Sequence, residues 1–315
     1  MSKLNYICPA CEVSSSTLSE KIKDKLFCKV CGAEYRFIDG IARLTPENNY
    51  AESFGFQWNI FRKTQLDSSV LKPISEERLL ECTNWSGDLL GHDILEAGSG
   101  AGRFTEVLVK TKANLYSFDF SNAVEANYLN NRENSNLTIF QGDIYNIPFL
   151  DKSFDHVLCL GVLQHTPDPK KSFFSLSEKV KEGGYLYIDI YTKSLLHSLQ
   201  WKYLLRPLTK RLPKEFLFSV VNFIVPILIP PTQILKYFFG RFGARLSPIQ
   251  EFSELDLGKE NNKKWAILDT FDMYSPEHDH PKTKKEVISW FEELNYQDIT
   301  VFYGKNGVVG RGRKS

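Results

Sequence analysis

The stretch of sequence that decides the fold is Asp93-Ile-Leu-Glu-Ala-Gly-Ser-Gly-Ala-Gly-Arg-Phe104. It reads as a short apolar strand with an acidic residue near its end, followed by three glycines at every second position. Glycine permits a sharp backbone turn and a close approach to a ligand, and the helix that follows points the positive end of its dipole at that ligand. The stretch therefore predicts a loop that binds a nucleotide-type cofactor.

The glycine spacing differs from that of nicotinamide-binding loops. Those loops place a glycine three residues after the second one, and here position 103 is arginine. The next apolar run ends in Asp119, which a second parallel strand would present to ribose hydroxyls, a spacing that dinucleotide binders share. Two further strand-like runs bring Asp143 after the third strand and Asp155 at the start of the fourth. Together these ordered signals predict a parallel sheet that binds a cofactor.

These segments resemble the class I S-adenosylmethionine-dependent methyltransferases. The resemblance runs from about residue 50 to the C-terminus, and four segments follow the order of the family: ILEAGSGAGRFT, LYSFDFS, FQGDIYNIPF and FDHVLCLGVLQHTPDP. It implies an S-adenosylmethionine-dependent methyltransferase with an α/β fold, in which a Rossmann-like seven-stranded sheet carries helices on both faces. The last two strands, near residues 298–303 and 307–310, are expected to pair antiparallel.

The resemblance also implies which residues hold the cofactor, S-adenosyl-L-methionine. Glu96 and the glycine loop would hold its methionine portion, Asp119 its ribose and Asp143 with Ile144 its adenine, while Gly161 would face the sulfonium. The full predicted set is Glu96, Gly98, Gly100, Gly102, Asp119, Asp143, Ile144 and Gly161. The plainer alternative is that the glycines form only a tight turn and that Asp119 is a solvated strand end.

Two Cys-x-x-Cys pairs near the N-terminus are separated by sixteen residues. This is the spacing of a four-cysteine zinc ribbon, and four thiolates leave no open position for catalysis. We therefore predict a structural zinc ion in a ribbon that spans residues 1–46, with Cys8, Cys11, Cys28 and Cys31 as its ligands. About forty residues bury too little apolar surface alone, so the metal would supply folding free energy. Disulfides are the alternative, and Cys82 and Cys159 read as ordinary thiols.

Charge and the N-terminal sequence restrict the classes of partner and location. The 39 basic and 38 acidic residues among 315 leave a net charge of +1, which offers no electrostatic footprint for nucleic acid. Residues 193–245, however, hold nine Lys or Arg against one acid, Glu215, which leaves the rest of the chain about seven charges negative. No apolar signal segment follows Met1, which predicts a cytoplasmic protein.

Residues 47–315 form the predicted methyltransferase domain, after a polar break at residues 45–49, and residues 192–282 form an insertion within it. In the resembled family such insertions form a cap over the substrate, so we expect a helical cap. Its apolar run, residues 216–229, is interrupted by Pro226 and followed by Pro230 and Pro231, and we expect it to be too short to span a bilayer. A later stretch, residues 268–276, resembles one in a bacterial subgroup of these enzymes and is expected to return to the active site.

Methyl transfer to a hydroxyl is helped by a general base, and the candidates are His165, His280 and Tyr274. The alternative for His165 is a hydrogen-bonded structural role, and the alternative for His280 is a place in a solvated loop. The preferred acceptor is a small molecule or a carrier-linked metabolite. Two rival functions are methylation of ribosomal or transfer RNA, and a non-catalytic zinc-ribbon interaction protein. The cations of residues 193–245 have two functional explanations: an anionic acceptor, such as a phosphorylated or carrier-linked sugar, or peripheral contact with an anionic membrane. The plainer alternative is that they form only a solvated face.

Overall fold

The computed structural model describes residues 4–11, 16–20, 24–46, 49–194 and 200–315. Eleven of its strands lie in one sheet. They are β1 (Leu18–Glu20), β2 (Lys25–Cys28), β3 (Glu34–Ile38), β4 (Ile41–Arg43), β5 (Asp93–Ala97), β6 (Asn114–Asp119), β7 (Leu137–Gln141), β8 (Phe154–Leu160), β9 (Val180–Ile190), β10 (Gln297–Tyr303) and β11 (Val308–Arg313).

Ten α-helices are described around this sheet. They are α1 (Glu52–Ile60), α2 (Asp67–Val70), α3 (Ile74–Thr83), α4 (Thr105–Leu108), α5 (Ala123–Asn131), α6 (Pro169–Lys179), α7 (Trp201–Thr209), α8 (Lys214–Leu246), α9 (Gly258–Tyr274) and α10 (Lys284–Glu293). Helix α4 begins only after Gly102, because Gly102 has a φ of +87° and cannot belong to a right-handed helix.

The seven strands β5 to β11 lie in the order β7-β6-β5-β8-β9-β11-β10. The neighbours among β5 to β9 are parallel, whereas β11 is antiparallel to both β9 and β10. Helices α3 and α4 pack on one face of the sheet, and α6 and α10 pack on the other. The predicted Rossmann-like seven-stranded fold with helices on both faces is confirmed.

The N-terminal ribbon continues this sheet. Strand β4 pairs in parallel with β7, with Ala42 opposite Phe140, and the buried ribbon cysteines belong to the same apolar cluster as the sheet. The Tyr6 ring lies 5.4 Å from the rings of both Phe140 and Phe149. The predicted boundary at residue 46 follows β4, and residues 47 and 48 of the predicted polar break lie outside the described residues. The ribbon and the sheet therefore share one core.

Helices α7, α8 and α9 form the cap, between β9 and α10 in the chain. The expectation that prolines shorten the apolar run of the cap is wrong. Helix α8 continues through Pro226, Pro230 and Pro231, and non-helical backbone interrupts it at Gly240. Its Lys214–Gly240 part, 27 residues, is long and apolar enough to cross a membrane by length and composition. Proline removes a backbone hydrogen bond, and the packing of one face of α8 on the cap core holds the helix together despite that loss.

We expect Tyr6→Ala to lower the free energy of unfolding of the whole chain by about 2 kcal/mol, because the change removes a ring packed on two core phenylalanines. The shared core further predicts that ribbon and sheet unfold in one transition in scanning calorimetry. The control is Val30→Ala, which alters a ribbon side chain that is 58% exposed and should leave the midpoint unchanged. A separate ribbon transition that alone responds to Tyr6→Ala would contradict this expectation.

Candidate functional site

A cavity of about 690 Å³ opens between the carboxyl ends of the parallel strands and the cap. Ligands of open α/β sheets bind at this edge, and the volume lies in the range of small-molecule sites. Six of the predicted site residues line the cavity: Gly98, Gly100, Asp119, Ile144, Gly161 and His165.

The glycine loop follows β5 and forms one wall of this cavity. The amides of Gly98 and Ser99 donate to the Phe118 carbonyl at 2.8 and 2.9 Å, which ties the loop to the end of β6. Gly100 has a φ of +53°, and a Cβ at this position would lie 3.1 Å from the indole nitrogen of Trp58. Only glycine adopts this conformation at little cost and leaves room under the indole.

Asp119 ends β6 beside the loop. Its Oδ2 accepts from the Gly100 amide at 2.9 Å, and its Oδ1 accepts from the amide and hydroxyl of Ser121 at 2.8 and 2.7 Å. Burial raises the pKa of this carboxyl, against those hydrogen bonds. A carboxylate offers about four lone-pair sites, so Asp119 can still accept from ribose hydroxyls while it holds the loop.

Glu96 lies behind the loop and outside the wall of the large cavity. It is 4% exposed, and its Oε2 accepts from the hydroxyls of Thr105 at 2.5 Å and Ser117 at 2.7 Å. Asn127 Nδ2 donates to the same two hydroxyls. Burial raises the pKa of Glu96 to about 7. This carboxyl therefore helps to fix the position of the loop, and its assignment to the methionine portion of the cofactor stays a prediction.

Two other predicted cofactor residues also lie outside the wall of the large cavity. Gly102 is buried and approaches the side-chain amides of Asn127 and Asn131 on α5. Asp143 accepts from the Tyr145 amide at 2.9 Å and directly precedes Ile144, which does line the cavity. Gly102 and Asp143 therefore support the backbone next to the cavity and are not part of its wall.

His165 follows β8 and is 7% exposed. Its ring centroid lies 5.0 Å from that of Phe54 and 5.4 Å from that of Tyr191, and its Nδ1 lies 3.1 Å from the carbonyl oxygen of His278. A carbonyl only accepts, so Nδ1 carries the proton and Nε2 is the basic nitrogen. Burial lowers the pKa of His165, which favours the neutral imidazole that a general base requires.

The other two candidate bases lie away from the cavity wall. The Tyr274 hydroxyl donates to the Pro248 carbonyl at 2.6 Å, and its ring is buried in the cap core. The His280 ring packs on His278, with 5.7 Å between centroids, and its amide donates to the Gln164 carbonyl at 2.8 Å. Both contacts are structural.

Helix α9 contributes acidic residues that sequence reasoning did not single out. Asp269, Asp272 and Met273 line the cavity, so this stretch does return to the site, with Tyr274 turned away on the same helix. Burial, with the nearby Asp272, raises the pKa of Asp269 to about 7, and burial also raises that of Asp272. Two acids three residues apart in an otherwise apolar helical stretch were the signal that could have revealed them.

Several basic side chains around the cavity and in the cap form ion pairs with acidic residues. Arg78 donates to Asp189 at 2.9 and 2.6 Å. Lys202 and Arg206 on α7 lie 2.9 and 2.6 Å from Asp279. In the same cap segment Lys214 pairs with Glu52, and Lys236 pairs with Glu251 and Glu254. Four of the nine cap cations thus have acidic partners, so the uneven charge of residues 193–245 is partly neutralised within the fold; the Arg241 side chain lies outside the described part.

A family model described as a methyltransferase domain matches residues 95–188. The match covers β5 to β9 and with them the glycine loop, Asp119 and His165. The chain contains a methyltransferase domain. This finding confirms the predicted family for that part of the chain.

Curated relatives match about a third of this chain. A tRNA U34 carboxymethyltransferase of Nautilia profundicola is 30% identical over 105 residues, which cover 32% of this chain and 35% of that protein. A ubiquinone biosynthesis O-methyltransferase of Shewanella pealeana is 24% identical over 123 residues, which cover 35% of this chain and 48% of that protein. The chain thus spans between about a third and a half of the length of these relatives.

Among solved structures, a SAM-dependent methyltransferase from Aquifex aeolicus aligns with a TM-score of 0.44 and 14% identity. The alignment covers 84% of this chain and 98% of that chain.

The four ribbon cysteines bring their sulfur atoms within 4.8 Å of one another. Cys8 and Cys31 lie 3.8 Å apart, and Cys11 and Cys28 lie 3.6 Å apart. Sulfurs that are 2.3 Å from a tetrahedral zinc ion stand about 3.8 Å from each other, so this donor set fits zinc. All six cysteines are free thiols, and Cys82 and Cys159 are buried at other places in the methyltransferase domain.

We expect Gly100→Arg and Asp119→Ala to remove most binding of S-adenosylmethionine while the protein stays folded. The first change fills the space under Trp58, and the second deletes an acceptor worth about 1.5–3 kcal/mol, or roughly ten- to a hundredfold in affinity. Isothermal calorimetry measures the affinity and circular dichroism checks the fold. Glu133→Ala, a change at a side chain that is 89% exposed, is the control, and unchanged affinity in both site variants would refute the assignment.

We expect the purified protein to carry about one zinc ion per chain when chelator is left out of the buffers. Cys8→Ser and Cys31→Ser should lose this metal and loosen the ribbon. Cys82→Ser is the matched control, because it also alters a buried thiol but leaves the four ligands intact. Elemental analysis by mass spectrometry measures the metal, and a metal-free protein with disulfides between the two pairs would overturn the expectation.

Proposed function

We propose that this protein is an S-adenosylmethionine-dependent methyltransferase that acts on a small-molecule or carrier-linked acceptor. The observation that carries the proposal is that one cavity collects the glycine loop, Asp119 and the buried His165. The methyltransferase domain over residues 95–188 supports the type of reaction.

S-adenosyl-L-methionine, when bound, supplies a methyl group on a positively charged sulfur. The loop from Gly98 to Gly100 offers a backbone that a ligand can approach closely, and Asp119 accepts from ribose hydroxyls. Ile144 gives an apolar surface for the adenine. The cap would exclude water and keep donor and acceptor together in the cavity, which is the main requirement of a displacement reaction.

His165 is the residue that we propose as general base for a hydroxyl acceptor. The His278 carbonyl fixes its tautomer, and the rings of Phe54 and Tyr191 fix its orientation. Asp272 lies in the same cavity and favours the imidazolium once the proton has moved, as its effect on the pKa of His165 indicates. The arrangement therefore provides a neutral base beside a carboxyl group that can stabilise its charged form.

Two guanidinium groups in the cavity wall support an anionic acceptor. Arg103 donates to Gln65 Oε1 at 2.6 Å and to Ser75 Oγ at 3.1 Å, which are neutral partners. Burial lowers the pKa of Arg103 to about 10, so it stays cationic at neutral pH. Arg245 also lines the cavity and forms no ion pair with any residue that the structure describes. Arginine binds phosphate and carboxylate groups in a bidentate manner, as a phosphorylated or carrier-linked sugar would require.

Two rival functions make different predictions. The Nautilia profundicola relative is named for tRNA, which favours an RNA acceptor, whereas the net charge of +1 counts against one. A non-catalytic interaction protein would bind without transfer. Cell extract separated into RNA, protein, lipid and small-molecule fractions, incubated with methyl-labelled cofactor, distinguishes these functions. Label in a small-molecule or carrier fraction supports the proposal, label in RNA alone supports the first rival, and cofactor binding without label supports the second. Asp119→Ala protein gives the background.

We expect His165→Gln to lower kcat by about a hundredfold or more, because glutamine cannot take the proton, while cofactor affinity stays unchanged. In the unaltered protein the rate should be flat around pH 7 and should fall only as the pH drops below the ordinary imidazole value of 6.5, since burial lowers the pKa of this base. The variant should lose that acidic decline. His280→Gln is the matched control, and equal activity of both variants would remove His165 from the mechanism.

A further inference from the structure

Helix α7 has the reverse polarity of a helix that faces water. Lys202 and Arg206, four residues apart, are 8% and 7% exposed, whereas Leu204 and Leu208, also four residues apart, are 70% and 67% exposed. The two cations face inward to Asp279. Surface helices of soluble proteins bury their apolar stripe and expose their polar one, so the outer side of α7 is built for contact with something other than water.

Helix α8 extends the same apolar surface. One stripe of α8 is buried in the cap core and contains Leu217, Val221 and Val225. Another stripe, with residues seven and four positions apart as on one helix face, is exposed: Phe216, Phe223, Ile227, Ile234 and Phe238. The exposed stripe contains no charged residue over this length.

The far end of α8 is rich in exposed aromatic rings. Gly240 interrupts the helix with a φ of 54° and a ψ of −134°, and three rings flank this bend: Tyr237 at 84%, Phe239 at 58% and Phe242 at 61% exposed. The indole of Trp201, at the start of α7, donates to the Leu246 carbonyl at 2.9 Å. This bond joins the start of α7 to the end of α8. We give the name apolar face to the exposed stripe of α8, the rings that flank Gly240 and the exposed Trp201, Leu204 and Leu208 of α7.

We propose that the apolar face docks on the surface of a lipid bilayer. Many exposed apolar side chains on two joined helices mark an interaction site. Exposed Lys210 and Arg211 follow Leu208 at its margin, and no described residue forms an ion pair with either, so their charge is available to anionic headgroups. Tyr and Trp side chains in such a face suit the interface between headgroups and acyl chains. The occupant that matches both features is a bilayer with anionic lipid.

The protein lies on the bilayer rather than across it. A spanning α8 would have to pull Leu217, Val221 and Val225 out of the cap core, where each is at most 5% exposed. Docking along one face keeps that packing and buries only the stripe that is already exposed. The proposal concerns location and does not depend on the proposed methyl transfer.

Flotation of the full chain with vesicles tests the proposal. We expect binding to phosphatidylcholine vesicles and about tenfold tighter binding when phosphatidylglycerol is added, because two cations near an anionic surface each contribute. High salt should abolish the tighter binding that phosphatidylglycerol causes, whereas the binding that arises from apolar contact should remain. Protein that stays at the bottom of the gradient with both kinds of vesicle would overturn the proposal.

Matched triple variants locate the contact. Replacement of Phe223, Ile227 and Phe238 by serine should weaken vesicle binding by about tenfold or more. The reason is that the original apolar side chains move from water into the bilayer when the protein docks, and serine gains little from that transfer. Replacement of Leu71, Leu90 and Tyr303, exposed by 86%, 69% and 65% elsewhere on the surface, should leave it unchanged. Equal loss of vesicle binding in both variants would refute the claim that the apolar face makes the membrane contact. Dimers that dissociate in the first variant, together with no vesicle binding, would show that a second copy covers the face instead. Circular dichroism checks that each variant is folded.

Discussion

A buried carboxyl group holds the cofactor loop to the sheet. Glu96 accepts hydrogen bonds from Thr105 on α4 and Ser117 on β6, and Asn127 on α5 donates to both hydroxyls. Inside a protein such bonds are strong, and removing one partner leaves the others unpaired. These contacts set where the chain leaves β5 and where α4 begins, so the position of Gly100 against Asp119 and Trp58 depends on a group that lies outside the large cavity.

The cap has two sides with different chemistry. Its inner side brings Asp272, Lys202 and Arg206 towards the cavity, and its outer side exposes the apolar face. The inward cations are balanced by Asp279, since buried charges need partners. One layer of helices therefore serves both to close the site and to present a surface to the surroundings.

The ribbon is joined to the functional part of the sheet through β7. Strand β4 adds to the edge of β7, and an edge strand left uncovered would expose unpaired backbone groups. Strand β7 leads directly to Ile144 in the cavity wall. The fit of the four sulfurs to a tetrahedral ion thus matters beyond the first forty residues, because a loosened ribbon would uncover the strand that leads to Ile144 in the cavity wall.

The sequence by itself determined the features that arise from local pattern: the glycine loop, the acids after successive strands, the alternation of strand and helix, and the cysteine spacing. Parallel strands bring their carboxyl ends to one edge, so the order of the segments along the chain is enough to place Gly100, Asp119 and His165 together. Only the tertiary structure decided that Glu96 lies behind the loop, that Arg78 meets Asp189, and that α8 continues through its prolines. Those outcomes depend on contacts between residues far apart in the chain, whose packing overrides local preference.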